Sequence, residues 1–88
     1  MTTDKELERI YKGIANRRRI AIIRILKAGR ATVSDIAAAI KLSHKSTSRH
    51  LQVLSAAGFV SSEQTGLFVY YSLDTQSERI ARVVRTFF

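Results

Sequence analysis

The residues from Ser43 to Gly58 constrain the fold more than any other stretch of this chain. They predict a helix with a capping residue at each end. Ser43 suits the N-cap, because its hydroxyl can accept a hydrogen bond from an otherwise unpaired backbone N–H of the first turn. Gly58 suits the position just past the helix, because glycine adopts a left-handed backbone at no steric cost. We therefore expect one helix with fixed ends, against which the other elements pack.

The two faces of this helix differ in chemistry. Thr47, Leu51 and Leu54 recur at helical spacing and predict one narrow buried stripe. The opposite face is polar and cationic and includes no acid: His44, Lys45, Ser48, Arg49 and Gln52. Cations in a first turn are unfavourable, because the helix N-terminus already carries partial positive charge. The pattern therefore favours an anionic partner at the N-terminal half of the helix.

The charge of the whole chain favours the same kind of partner. Its 88 residues, enough for one domain, include 15 Lys and Arg against 7 Asp and Glu, a net charge of +8. Such a balance is typical of proteins that bind a polyanion, although a merely soluble basic protein is the simpler alternative. Apolar residues make up 45% of the chain, which predicts a folded core, and the lack of cysteine excludes disulfides and thiolate sites.

The N-terminal half predicts three further helices and one short extended link before the capped helix. Thr3 opens a capping box and therefore a first helix, which extends to about residue 14. Asn16 is the expected N-cap of a second helix, which should stop at Gly29. Residues 30–33 predict a short extended link, and Ser34 is the expected N-cap of a third helix.

The C-terminal part changes to a β pattern and then returns to a helix. Residues 59–64 and 67–73 are β-rich runs joined at Thr65-Gly66, which predicts a hairpin. Asp74 is the expected N-cap of a last helix over about 75–88.

This order of elements predicts the fold class. Helix, helix, short strand, helix, helix, hairpin, helix is a mainly α chain with a small β-hairpin, which is the winged helix-turn-helix arrangement. The whole chain, 1–88, would form one such domain. The helix-turn-helix would span about 34–57 and the wing about 59–73.

Four segments resemble the ArsR-type family of winged-helix repressors, in the order in which the family has them: 16–22, 33–37, 48–54 together with 57–60, and 69–73. The resemblance implies a homodimer that binds a pseudo-palindromic operator in double-stranded DNA and represses transcription. It also implies that the first and last helices, about 3–14 and 75–88, form the dimer interface.

The chain departs from the family pattern in three places: the metal ligands, the wing tip and one core position. Family metal sensors bind through cysteines near the third helix, or through His and carboxylates on the last helix. This chain has no cysteine, and its last helix offers Asp74 and Glu78 without a histidine. We therefore expect neither a metal nor another cofactor, and two alternatives stay open for regulation: a small organic effector, or no effector at all. The wing tip lacks the basic residues that the family often has there, and Thr47 replaces an aliphatic core residue.

The candidate DNA contacts fall into two groups. We expect the cationic helix face to read base edges in the major groove, with His44, Lys45 and Ser48 nearest the bases and Arg49 and Gln52 beside them. The second group consists of cations, hydroxyls and helix starts that suit phosphate: Arg17, Arg18, Arg19, Arg30, Thr32, Ser34, Ser43 and Ser46. A solvated basic surface is the alternative for the helix face. Arg17, Arg18 and Arg19 could instead pair with Glu6 and Glu8, and we expect at least one of the three arginines to be structural.

Apolar residues on the first and last helices exceed what so small a core requires, which predicts a dimer interface. They are Leu7, Ile10, Tyr11, Ile80, Val83, Val84 and Phe87. Some of them must cover the core of the protomer itself.

Two pairs of side chains, at the wing tip and on the capped helix, receive the plainer of two interpretations. Leu67 and Phe68 at the wing tip are expected to pack against the base of the hairpin rather than to enter a minor groove. His44 and His50 lie about 240° apart around a helix, so we do not expect them to chelate a metal together. His50 is expected to pack near the turn or to bond a backbone group.

These features lead to one main hypothesis, a dimeric, sequence-specific DNA-binding repressor in the cytoplasm of a prokaryote, associated with the nucleoid. Two alternatives stay open: a non-specific architectural DNA binder, and a winged-helix adaptor that binds another protein.

We do not expect an enzyme, because the chain has no cysteine, no Gly-rich phosphate loop and no carboxylate pair at a plausible cleft. Nor do we expect a membrane partner. The longest apolar region is too short to span a bilayer, and the polar segment Met1–Glu6 does not resemble a signal peptide.

Overall fold

The computed structural model describes residues 3–88 and confirms the predicted winged helix-turn-helix order. Five helices and three strands follow one another along these residues. The helices are α1 (Asp4–Ile14), α2 (Arg17–Ala28), α3 (Val33–Ile40), α4 (His44–Ala56) and α5 (Glu78–Phe87), and the strands are β1 (Ala31–Thr32), β2 (Val60–Thr65) and β3 (Phe68–Leu73). Met1 and Thr2, where the N-terminal segment discussed above begins, lie outside the described residues.

Side-chain caps fix the start of three helices as predicted. Thr3 Oγ1 accepts from the Glu6 N–H at the start of α1. Asn16 Oδ1 accepts from the N–H groups of Arg18 and Arg19 at the start of α2. Ser43 Oγ accepts from the Ser46 N–H at 3.1 Å and opens α4.

The end of α4 is closed by two backbone bonds that depend on glycine. Gly58 has φ +84°, and its N–H donates to the Ser55 carbonyl at 3.0 Å. The Phe59 N–H then donates to the Leu54 carbonyl at 2.9 Å. This pair is the Schellman arrangement, in which a left-handed residue turns the chain back on the helix. The turn delivers Phe59 into the core and starts the wing.

Two predicted N-caps are wrong. Thr32, not Ser34, caps α3: its hydroxyl accepts from the Asp35 N–H at 3.1 Å, so β1 leads directly into the helix and Ser34 lies in its first turn. Ser77, not Asp74, caps α5. The backbone of Asp74 is used elsewhere, because its N–H donates to the Phe59 carbonyl at 2.9 Å. The last helix therefore begins at Glu78, three residues later than predicted.

The sheet is antiparallel with the strand order β1-β3-β2. In the hairpin, Val60 pairs with Leu73 and Thr65 with Phe68, so the two-residue turn is Gly66-Leu67, one residue beyond the predicted Thr65-Gly66. Gly66 has φ +63°, which suits the first position of a tight hairpin turn. β1 adds to the other edge of β3 and thereby joins the wing to the start of α3.

The core lies between the helices and the inner end of the sheet. Thr47, Leu51 and Leu54 are all fully buried, which confirms the inward stripe of α4. The Thr47 hydroxyl donates to the Ser43 carbonyl at 2.8 Å, so the one polar group of this stripe is satisfied. Other fully buried side chains are those of Ile22, Ile23, Ile36 and Phe59.

Gly13 allows α1 to approach this core closely. A Cβ at Gly13 would lie 3.0 Å from the Phe59 ring, which is tighter than nine in ten real Cβ contacts. The end of α1 is therefore packed directly on the residue that follows α4. Among the residues described, no helix is long and apolar enough to cross a membrane.

Candidate nucleic-acid interface

The outward face of α4 forms one continuous cationic surface. His44, Lys45, Arg49 and Gln52 are exposed and Ser48 is half-buried, and the five side chains line a single shallow depression. All five predicted base-reading residues therefore lie together. Because the caps and the buried stripe of α4 fix both its length and its rotation, this face has a defined orientation relative to the rest of the domain.

The serines at the start of α4 have a structural task as well as an exposed position. Ser43 is exposed, but its hydroxyl already accepts the Ser46 N–H. Ser46 is half-buried. The hydroxyl proton of Ser43 and the free N–H groups of the first turn can still donate to an anion.

The three arginines of α2 have different surroundings. Arg17 and Arg18 are exposed, and Arg18 Nη1 donates weakly to the Ile40 carbonyl at 3.4 Å. Arg19 is half-buried, and its guanidinium donates to two carbonyls of α1, those of Gly13 at 3.0 Å and Lys12 at 2.7 Å. Arg19 is thus the structural arginine expected from the sequence.

The acids of α1 do not bind this cluster. Glu6 forms an ion pair with Arg79 of α5, and Glu8 with Lys12 at 3.2 Å. Helix carbonyls, rather than the carboxylates proposed from the sequence, therefore offset the charge of Arg19.

A second cationic position lies where β1 meets the wing. The Arg30 guanidinium stacks over the Tyr70 ring, 4.1 Å from its centroid. Such cation–π contacts hold an arginine in place without neutralising its charge. Ser34 is exposed nearby, whereas Thr32 is half-buried and caps α3. Sequence reasoning missed the Arg30–Tyr70 contact, because it depends on the pairing of β1 with β3.

The wing tip contradicts one prediction. Leu67 is 97% exposed and does not pack against the base of the hairpin. Phe68 is 59% exposed, although its ring lies 6.3 Å from the Tyr70 ring, measured between centroids. The two-residue turn directs Leu67 away from the domain, and the apolar tip is left free. Together with the first turn of α3 and His44, the strand residues behind it line an open depression of about 540 Å³.

The two histidines lie in different surroundings, as predicted, but His50 bonds a side chain rather than a backbone group. Its Nδ1 lies 3.3 Å from Arg19 Nη1. Partial burial, with the positive charges of Arg19, Arg18 and Arg49, lowers the pKa of His50 below its usual value of 6.5. Within residues 3–88, no group of three or more His, Cys, Asp or Glu side chains could hold a metal ion.

The predicted dimer patch divides into buried and exposed residues. Ile10, Ile80 and Val84 are buried in the core of the protomer, so they cannot contact a second chain without rearrangement. Val83 is half-buried. The exposed members are Leu7, Tyr11 and Phe87, at 40%, 55% and 57%. An apolar surface on α1 and α5 remains, but it is smaller than predicted.

A helix-turn-helix that ends in a cationic helix and continues into a hairpin defines the winged helix-turn-helix class of DNA-binding domains. Comparison with known proteins identifies the family within this class. The sequence profile of the bacterial regulatory protein, arsR family, matches residues 16–62. The chain belongs to this family.

Named relatives and solved structures agree with this assignment. The chain is 38% identical over 69 residues to the transcriptional repressor SdpR of Bacillus subtilis, covering 78% of this chain and 77% of that protein. It is 31% identical over 72 residues to a homologue of the cadmium resistance regulatory protein CadC of Staphylococcus aureus, covering 81% of this chain and 60% of that protein. A homodimeric winged helix-turn-helix DNA-binding domain, Mb0332 of Mycobacterium bovis, superimposes with a TM-score of 0.83 at 30% identity, over 93% of this chain and 74% of that one.

Proposed function

We propose that this protein is a dimeric transcription regulator that binds a pseudo-palindromic operator in double-stranded DNA and acts as a repressor. One observation carries the proposal: the exposed face of α4 brings five polar or cationic side chains together, without an acid, on the helix that enters DNA in this fold. The same proposal places the protein in the cytoplasm of a prokaryote, with the nucleoid.

The side chains divide into base and backbone contacts by their position on the fold. His44, Lys45 and Ser48 lie on the first turns of α4, the part of a recognition helix that reaches base edges. Arg49 and Gln52 continue the same face. Backbone contacts come from exposed groups around it: Arg17, Arg18, Arg30, Ser34 and the capped start of α4 at Ser43 and Ser46. Thr32 contributes mainly by holding the start of α3, and Arg19 by holding the end of α1.

A homodimer fits both the surface and the relatives. Leu7, Tyr11 and Phe87 expose apolar area on α1 and α5, which a second copy would cover. The relative SdpR is described as a repressor, and the Mb0332 domain is homodimeric. In a two-fold dimer, the two α4 helices would enter successive major grooves about 34–36 Å apart on one side of the DNA.

The proposal is tested by fluorescence anisotropy on selected DNA. Sites are first enriched from a random pool of duplexes, and binding is then measured from low to high salt. We expect enrichment of a two-fold site, and log K falling by about 0.9 per neutralised phosphate for each decade of salt. No binding at low salt would exclude DNA as the partner. Binding without any enriched sequence would favour the architectural alternative.

The exposed wing tip favours one second candidate, an adaptor that binds another protein. Leu67 and Phe68 present apolar area where a DNA-binding wing usually carries cations. An adaptor would bind DNA only weakly at physiological salt and would lose its partner on Leu67→Ser. The repressor would keep its operator affinity at that salt concentration.

A further inference from the structure

The guanidinium of Arg19 joins three elements of the domain. It belongs to the first turn of α2, donates from Nε to the Gly13 carbonyl and from Nη2 to the Lys12 carbonyl at the end of α1, and places Nη1 3.3 Å from Nδ1 of His50 on α4. The α4 contact is made from the middle of the helix that carries the proposed base-reading face.

Helix electrostatics explain why the arginine lies there. The last carbonyls of α1 have no partner within their helix, and they carry partial negative charge. The first turn of α2 is an unfavourable place for a cation. The two ends meet at the short link between α1 and α2, so one side chain of α2 satisfies the carbonyls of α1. This arrangement uses two of the hydrogen-bonding directions of Arg19 and aims the third at His50.

The contact requires a particular form of the imidazole. Arginine can only donate, so Nδ1 of His50 must accept and its proton must lie on Nε2. The charged groups that act on the ring are Arg19 and Arg18 from α2 and Arg49 from α4 itself. On α1, the carbonyls of Gly13 and Lys12 accept from Arg19, and the side chains of Glu8 and Lys12 pair with each other at 3.2 Å. No acid among these groups would favour a protonated ring.

We propose that Arg19 and His50 are positioning residues for DNA binding: together they hold the recognition helix α4 against the end of α1, and only neutral His50 maintains this arrangement. The proposal rests on the proposed function, because its consequence is the orientation of the α4 face towards DNA. It assigns Arg19 to the interior of the domain and not to phosphate, which changes the role expected for it from the sequence.

The direction of the pH effect follows from the lowered pKa of His50. The folded arrangement favours the neutral ring, so the unfolded chain binds the proton more readily. The full contribution of the contact is present above pH 6.5 and declines as the pH falls from that value through the lower pKa of the folded protein. Acidification should therefore loosen α4, the opposite of the gain in DNA affinity that an added positive charge alone would produce.

The first experiment compares two arginines of the same helix turn. Arg19→Gln and Arg17→Gln each remove one charge, and operator affinity is measured for both across a salt series. We expect Arg17→Gln to lower the slope of log K against log salt by about 0.9 for each subunit of the dimer, because this arginine is proposed to contact phosphate. Arg19→Gln should lower the affinity at least tenfold at every salt concentration and leave the slope unchanged, because it removes three charged hydrogen bonds and the loss of one alone corresponds to about tenfold. A slope change for Arg19→Gln equal to that of a phosphate contact would overturn the proposal, as would an unchanged affinity.

Variants of His50 test the same contact from its other partner, in case Arg19→Gln fails to fold. His50→Ala removes only the contact with α4 and should lower the affinity without changing the slope. His50→Gln supplies a neutral acceptor in place of Nδ1 and should restore most of the affinity at pH 7.5. If His50→Gln binds as weakly as His50→Ala, the hydrogen bond to Arg19 is not what positions α4.

Two further measurements distinguish the hydrogen bond of His50 from simple packing of its ring: the pH dependence of stability and the protonation of the ring nitrogens. Urea unfolding midpoints are compared at pH 7.5 and 5.5 for the wild type, His50→Gln and His44→Gln. The wild type and His44→Gln should lose stability on acidification, and His50→Gln should lose clearly less. Nitrogen NMR of the wild type at pH 7.5 should show Nδ1 of His50 unprotonated. Equal losses in all three proteins, or a proton on Nδ1, would contradict the proposal.

These stability and NMR measurements need no DNA. They can therefore be interpreted even if the wild type fails to bind any duplex, which is the result that would refute the proposed function.

Discussion

The recognition helix α4 and the wing differ in how they are held and in what they expose. α4 is anchored by three fully buried side chains, and its free face is cationic. The wing is a two-stranded hairpin whose residues from Ser61 to Val69 are all exposed, and its tip is apolar. α4 is therefore held by the core and presents positive charge to the outside. The wing extends from the domain and is held by backbone hydrogen bonds.

The difference bears on which element contributes to DNA binding. The cations proposed to bind the phosphate backbone lie on α4, on the first turn of α2 and at Arg30, and these positions are fixed by caps, core packing or stacking. The wing adds no cation at its tip. We therefore expect the affinity and the specificity of the protein to depend on α4, and the wing to tolerate substitution.

The largest expected effect comes from removing the core anchor of α4. Leu51→Ala leaves a cavity beneath the recognition helix, since the side chain is fully buried, and should lower the free energy of unfolding by about 2–5 kcal/mol. Chemical denaturation monitored by circular dichroism measures this. Val69→Ala in the wing is the matched control: at 41% exposed it should cost less than about 1 kcal/mol. Similar losses in the two variants would show that the wing is as firmly held as the helix.

Most of the fold could be predicted from local sequence signals. Caps at Thr3, Asn16 and Ser43, glycine at position 58 and the helical spacing of Leu51 and Leu54 are short-range features, and the structure confirms them. The two N-cap predictions were wrong where two residues with a hydroxyl or carboxyl group lie within three positions of each other, since either could cap the helix. Thr32 prevailed over Ser34 because β1 pairs with β3 up to that residue, which is a long-range contact that the local sequence does not contain.

The candidate site was predictable in its composition and less so in its connections. The face of α4 follows directly from helical periodicity, so all five residues lie together. The environment of Arg19 depends on how the end of α1 meets α2 and α4, and the stacking of Arg30 on Tyr70 depends on strand register. The exposure of Leu67 depends on a one-residue shift of the hairpin turn. Each of these is set by tertiary structure.

A smaller effect, on specificity rather than stability, should come from the first turn of α4. Lys45 is exposed, so Lys45→Ala should leave the fold intact. It should reduce the preference for the operator over random DNA by about 1–3 kcal/mol, the range of a good base contact. Competition binding with both duplexes measures the ratio. Arg17→Ala is the control and should weaken both duplexes alike, because phosphate contacts carry no sequence information. An equal loss on both duplexes for Lys45→Ala would move this residue to the backbone group.

The smallest effect is expected at the wing tip, and it tests the division between the two elements most directly. Leu67 is 97% exposed, so Leu67→Ser should change the free energy of unfolding by less than about 0.5 kcal/mol. If the wing adds little to DNA binding, the same variant should also keep its operator affinity and its salt slope. Leu67→Lys serves as the counterpart: a cation at each tip would raise the slope by up to about 0.9 per subunit of the dimer if the wing lies within reach of a phosphate. A tenfold loss of operator affinity for Leu67→Ser, with the slope unchanged, would mean that an apolar side chain of the wing enters the minor groove. In that case the wing would read DNA by shape where α4 reads it by charge and hydrogen bonds, and the two elements would share the specificity.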